Sequence, residues 1–421
     1  MSTLVAQAPM STRTKFVLLG SLYFSQGLPF GFFTQVLPIF LRRDGFSLSD
    51  IGLLSSLIAV PWMLKFVWAP AVDRYWHASS GRRRSWILPL QLLTALTLAA
   101  LAVFSSTPPA AILIASVVVL STLAATQDIA TDGFAVDMLT HAERGAANGL
   151  QVAGYRVGMI VGGGLLLILH ERLGWPLTFL AMAALIIVAS IPVAVAREPK
   201  PPTEAGHESS AARHFLRRPG VIRLLFLVVT YKAGEAFATG MLRPFLVDSG
   251  FSLADIGWLL GTVGFVAGLV GAMLGGVLVN RLGRKEALVW FGLLQALTVG
   301  FYALLAAGKL GAIAVYVLCG AEHLAGGMAT AALFTCMMDW CAPRSSATDY
   351  TVQASAVVMA TGGAAALSGL SADMFGYVGH FLIATALAFV SVVIVFQLFP
   401  GRAEAAALRM GRLPAGQQQL N

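Results

Sequence analysis

The residues most able to do chemistry in this chain are charges set inside long apolar runs. Asp128 and Asp132 stand four apart in the run 110–136, a spacing that puts two carboxylates on one side of a helix. Neighbouring carboxylates repel, so one of them is suited to hold a proton near neutral pH. Arg156 lies in Gly154-Tyr155-Arg156-Val157-Gly158. Its guanidinium either clamps a carboxylate or phosphate with two parallel bonds or is the fixed counter-ion of Asp128 or Asp132. Lys232 and Glu235, three apart, share a helix face as a functional site or as an internal ion pair. Glu322 and His323 sit among Gly320, Gly326 and Gly327. Such a pair either relays a proton at about pH 6–7 or is packed and hydrogen-bonded. Lys65 is expected to snorkel its ammonium toward the membrane surface. Arg243, beside Pro244, reads as an interfacial anchor. Gln26, Tyr155, Gln127, Gln151, Tyr231 and Gln353 are cavity-lining candidates, although polar uncharged residues also hold membrane helices together.

These residues matter because of what surrounds them. Of 421 residues, 57% are hydrophobic and 11% charged, where a soluble domain has about 45–50% and about 25%. The balance excludes an ordinary soluble enzyme, a disordered chain and a nucleic-acid binder. A crossing helix needs about 20 mostly apolar residues. Breaking the chain at charge clusters and turn residues gives spans at 16–41, 50–71, 86–105, 110–136, 146–169, 175–196, 221–247, 253–279, 286–307, 311–338, 347–372 and 378–399. The fold class is therefore all-α integral membrane, with about twelve helices in two six-helix bundles. The bundles cover 1–196 and 221–400, with a linker at 197–220 and a polar tail at 401–421. A charge at the bilayer centre costs at least about 2.5–3.5 kcal/mol, which makes each interior charge a candidate for function.

The basic residues set an orientation. With the N-terminus cytoplasmic, 20 of the 28 Lys and Arg fall on the inside, four on the outside and four within spans. That asymmetry places both termini in the cytoplasm. It also accounts for the net charge of +8 without a nucleic-acid partner. Three cysteines do not make a disulfide framework or a zinc site. No nucleophile–base set, phosphate loop or metal-ligand set is visible, so neither an enzyme nor a cofactor is expected.

The two halves echo each other. Gly45-Phe46-Ser47-Leu48-Ser49-Asp50-Ile51-Gly52 recurs as Gly250-Phe251-Ser252-Leu253-Ala254-Asp255-Ile256-Gly257, and the interval from Asp137 to Gln151 recurs from Asp339 to Gln353. Duplication of a six-helix unit explains this. Asp73-Arg74 with Gly81-Arg82-Arg83, and Gly276–Lys285 with its Asn280-Arg281-Leu282-Gly283-Arg284-Lys285, resemble the signature loop of the major facilitator superfamily. Tyr75–Ser80 lengthens the first copy. Gln26-Gly27-Leu28-Pro29, the run Lys65–Arg74, Gln127-Asp128-Ile129-Ala130-Thr131-Asp132 and Glu143-Arg144-Gly145 resemble the AmpG-related permeases. That group includes muropeptide importers, acetyl-CoA transporters and siderophore importers.

The resemblance implies a secondary transporter of the bacterial inner membrane, driven by the proton gradient and working as a monomer on a small-molecule solute. The Ser21–Phe33 run points to siderophore import. A muropeptide permease, a drug or metabolite exporter, and a polytopic membrane enzyme or sensor are the alternatives. Asp73, Arg74, Arg82, Arg83, Asp137, Glu143, Arg144, Arg281, Arg284 and Lys285 are expected to form a cytoplasmic gate.

Overall fold

The computed structural model describes residues 10–43, 45–77, 79–104, 109–196, 198, 212–401, 404, 405 and 408. Most of the expected linker and tail lies outside the described residues, as do Arg402, Arg409 and Arg412. What is described is almost entirely helical.

Twelve helical segments can be followed in order: α1 at 12–43, α2 at 48–74, α3 at Arg84–Leu101, α4 at Ala110–Met138, α5 at 141–173, α6 at Gly174–Val195, α7 at 221–248, α8 at 253–282, α9 at Arg284–Ala306, α10 at Ala312–Asp339, α11 at 346–375 and α12 at 377–398. Eight stretches are long and apolar enough to cross a membrane by length and composition. One of these, Pro343–Leu398, turns at Gly376 and so comprises two helices. The helices outside this set are α2, broken by a 3₁₀ turn at Lys65–Val67, and α5 and α7, which carry Arg156, Lys232 and Glu235 inside them.

Two turns require glycine. Gly174 (φ 70°) parts α5 from α6, and Gly376 (φ 63°) parts α11 from α12. Both lie in the left-handed region that side chains with a Cβ avoid. Gly45 and Gly250, and Gly81 and Gly283, are likewise left-handed at matching places of the two halves. The duplication read from the octapeptide is thus repeated in backbone geometry. The α5 helix begins at His141, earlier than the expected span, because Thr140 and Glu143 close a capping box.

The apolar core has three parts. One cluster takes residues from the basic end of both halves, among them Leu19, Phe134, Tyr231, Leu333, Trp340 and Tyr350. A second lies in the first half alone, around Phe32, Phe33, Leu98, Leu120, Trp175 and Phe179. A third lies in the second half alone, around Phe245, Leu259, Tyr302 and Phe381. The halves therefore share one core at the basic end and keep separate cores at the opposite end.

Candidate functional site

At the basic end each half places an acid at the close of its fourth helix, and each acid receives groups from both halves. Asp137 of α4 accepts from Arg83 Nε at 2.8 Å and, across the halves, from the Ser346 hydroxyl of α11. Asp339 of α10 accepts from Arg284 Nε at 2.7 Å and, across the halves, from Arg144 of α5 at 2.7 Å. Arg144 and Ser346 occupy matching positions of the repeat, so each half reaches the other half's acid from the same place in its sequence. Asp73 adds a third tie, accepting from the Thr348 backbone N–H at 2.8 Å and its hydroxyl at 2.7 Å. Arg82 reaches Asp73 and the carbonyls of Pro343 and Arg344. Behind this polar layer α5 and α8 touch backbone to backbone: a Cβ on Gly145 would run into the Gly276 carbonyl, and one on Gly276 into that of Gly145.

Part of the expected gate lies elsewhere. Arg74 sits over its neighbour Tyr75, Lys285 over the Phe396 ring at 4.5 Å, and Arg281 is exposed. Glu143 faces the N-terminal segment, accepting from Lys15 at 2.7 Å and Thr12 at 2.6 Å. It stands in the first turn of α5, ahead of the apolar span. Burial opposes the shift, yet the bonds from Lys15, Thr12 and Thr140 pull its carboxyl down to about 2.

Deeper in the first half, Asp128 is paired with Lys65, which is 2% exposed. The snorkelling expected of Lys65 does not occur: the 3₁₀ turn at Lys65–Val67 aims the ammonium at α4, where a buried carboxylate offsets its desolvation. Asp132, one turn along, accepts from the Tyr23 hydroxyl at 2.7 Å and lies 3.5 Å from the Gln151 amide. Arg156 is not the counter-ion of either acid. It crosses to the second half, donating to the Phe265 carbonyl of α8 at 3.1 Å and lying over that ring at 5.3 Å.

In the second half Lys232 and Glu235 form an ion pair along α7. Glu322, 1% exposed, meets the ring of His323 at 2.8 Å. The interior thus holds one lysine–carboxylate pair per half, with Arg156 reaching between the halves.

The cavity-lining candidates divide. Gln26 is buried with neither amide atom engaged by the protein, and Tyr155 is half-buried against Phe30. Gln127 bonds Ser25 at 3.2 Å, and Gln151 faces Asp132. Tyr231 and Gln353 are bonded to backbone carbonyls of the helices around them. The Tyr231 hydroxyl donates to the Leu288 carbonyl at 2.9 Å. Gln353 braces α11 against the end of α10, donating to the Met337 and Asp349 carbonyls, and is fully buried. Arg243 is exposed.

Several residues of the site escaped the sequence reading. Ser346 and Thr348 carry no charge to flag them. Arg218 and Asp349, paired at 2.5 Å in a buried setting, lie 131 residues apart. Glu198 caps the start of α3 through the N–H groups of Arg83 and Arg84, and burial raises its carboxyl. Their repeat position was the one available signal, and only for Ser346.

Comparison with known proteins gives these features a family. The model described as Major Facilitator Superfamily matches residues 19–322. The anhydromuropeptide permease of Escherichia coli (strain K12) is 33% identical over 341 residues, covering 78% of this chain and 68% of that protein. A protein of Rickettsia conorii named putative transporter AmpG 4 is 26% identical over 88% of this chain and 93% of its own length. Among solved structures, the E. coli fucose:proton symporter superposes with a TM-score of 0.73 at 13% identity, covering 93% of this chain and 100% of that one. A bacterial homologue of the iron transporter ferroportin gives 0.68 at 16% identity, covering 92% and 99%. At such identities the likeness is one of fold. The chain belongs to the major facilitator superfamily, within its AmpG-related group of membrane permeases.

Proposed function

We propose that this transporter imports an anhydromuropeptide-type solute across the bacterial inner membrane, driven by the proton gradient, with both termini cytoplasmic. The Lys and Arg asymmetry supports the orientation. In that orientation the shared core and doubled tie close the cytoplasmic end, and the separate cores leave the halves free to part on the outside. Such a state receives solute from outside. A transporter of this architecture then rocks its halves around a midplane site.

The observation that carries proton coupling is the buried Lys65–Asp128 pair with Asp132 one turn away. A solute carboxylate drawn to the Lys65 or Arg156 cation competes with the protein's own acceptors. Released from Lys65, Asp128 beside Asp132 takes up a proton, because two adjacent buried carboxylates resist both being charged. Proton and solute then bind together. The solute class is supported by the 33% identity to a protein named anhydromuropeptide permease. The siderophore expected from the Ser21–Phe33 run has no such support.

Asp128→Asn in proteoliposomes loaded with labelled anhydromuropeptide tests the mechanism. Gradient-driven uptake should be lost while exchange of preloaded solute persists. Loss of both in a folded protein would assign Asp128 a structural role. Uptake of a ferric siderophore in place of the anhydromuropeptide would move the solute class and leave the coupling intact.

A further inference from the structure

A second feature of the first half lies behind the Lys65–Asp128 pair. Ser25 of α1 is fully engaged: its hydroxyl donates to the Leu22 carbonyl at 2.7 Å and accepts from the amides of Gln91 on α3 at 3.0 Å and Gln127 on α4 at 3.2 Å. Around this junction are polar atoms with no protein partner: both amide atoms of Gln26, Oε1 of Gln91, and the hydroxyls of Thr94 and Thr131. Gln26 is 1% exposed, Gln91 0%, Thr94 3% and Thr131 0%. Thr94 lies one turn from Gln91 and Thr131 one turn from Gln127, so each extends the same face of its helix. The bonds Tyr23 to Asp132 and Ser25 to Gln127 fix the register of α1 against α4. That register sets Gln26 level with Asp128. Lys65, Asp128, Tyr23 and Asp132, with Tyr155 of α5 and Tyr350 of α11, are the described titratable groups around this strip.

Part of the arrangement recurs in the second half, where the Thr298 hydroxyl donates to the Gln295 carbonyl at 2.9 Å. Trp86, Gln91 and Thr94 recur at the same spacing in α9 as Trp290, Gln295 and Thr298. Gln295 Nε2 is again without a protein partner. It stands beside Glu235: a Cβ placed on Gly326 would be 2.6 Å from Glu235 Oε1 and 3.3 Å from Gln295 Nε2. Each half therefore sets a Gln-x-x-Thr strip of its third helix near its own lysine–carboxylate pair.

Buried polar groups are costly to leave unpaired, and in proteins such groups are bonded by internal water, typically with about three bonds per molecule. We propose that the space between α1, α3 and α4 is a water-holding chamber that relays protons to and from Asp128. The proposal rests on the proton-driven reading above. A hydronium arriving along the chamber gives its proton to the Asp128 carboxylate and remains as water, and Lys65 keeps its charge. The proton thus reaches Asp128 from inside one bundle.

Two measurements test this. The first is a high-resolution structure of the purified protein in a nanodisc, without solute. Ordered water bonded to Gln26 and Gln91 is the expected result; direct pairing of these side chains with one another, or a dry interior, overturns the chamber. The second is the T94V/T131V variant, which removes both hydroxyls at nearly constant volume, assayed with labelled anhydromuropeptide in proteoliposomes. Gradient-driven uptake should fall by about tenfold while exchange of preloaded solute is unchanged. Equal loss of both, or loss of neither, overturns the relay. If the unaltered protein neither takes up nor exchanges this probe, the solute reading fails by itself, and the nanodisc structure still decides the chamber.

Discussion

At the scale of single residues, the interior charges are defined by their partners. Removing one member of a buried ion pair leaves the other uncompensated, at a cost of about 3–5 kcal/mol, whereas removing both is far milder. Lys65→Met should therefore lower the unfolding temperature markedly, and K65M/D128N should recover most of it without recovering gradient-driven uptake. Thermal unfolding and uptake measured on the same preparations check this; equal stability of the single and double variants would show that the pair is not coupled. Local spacing made part of this legible. A spacing of four from Asp128 to Asp132 and of three from Lys232 to Glu235 specifies shared helix faces. The Lys65–Asp128 and Arg156–Phe265 contacts join residues 63 and 109 positions apart. No helical period encodes such contacts, which is why the snorkelling reading of Lys65 and the counter-ion alternative for Arg156 both failed.

At the scale of elements, close helix approach depends on glycine. A Cβ on Gly27 would run into the Tyr155 carbonyl, and one on Gly162 into that of Leu28, so α1 and α5 have no room for side chains there. Gly27→Val should destabilise the protein by about 1–3 kcal/mol through overpacking, read as a lower unfolding temperature in detergent. The start of α5 carries a pH dependence. The Glu143 carboxyl is lowered from 4.5 to about 2 in the folded protein. A depressed acid contributes stability that is present above its unfolded value and lost as the pH falls through the folded one. The tie between the N-terminal segment and α5 should therefore weaken between 4.5 and about 2, and Glu143→Gln should remove that dependence. Protease susceptibility of the N-terminal segment across this range is the measurement; an unchanged profile in the variant would place the titration elsewhere. Helix positions were largely readable from apolar length, because hydrocarbon thickness fixes that length. The early start of α5 was less so, because a capping box overrides the apolar boundary.

At the scale of the whole molecule, we propose that the doubled tie between the halves balances two arrangements of them. The pairs at Asp137 and Asp339 are largely buried, and a shift of about 1.4 kcal/mol already changes a population ratio tenfold. Neutralising both acids, as D137N/D339N, should open the basic end. Labelling of a cysteine placed at Ala142, beside Asn280, would then rise several-fold from that side. Unchanged labelling would mean that the remaining contacts, Asp73–Thr348, Arg82 with the Pro343 and Arg344 carbonyls, and the Gly145–Gly276 packing, hold the end shut. The two-bundle plan was visible in the repeated octapeptide. That the acids bind across the halves was not, since a repeat marks matching positions without saying which half each one faces.

The central claim is that solute movement is driven by protons through this interior. The most direct measurement is uptake of labelled anhydromuropeptide by proteoliposomes of the purified protein under an imposed inward proton gradient, with and without a protonophore. Accumulation against the solute's own gradient that collapses with the protonophore is the expected result. Accumulation that persists after the proton gradient is gone would contradict it.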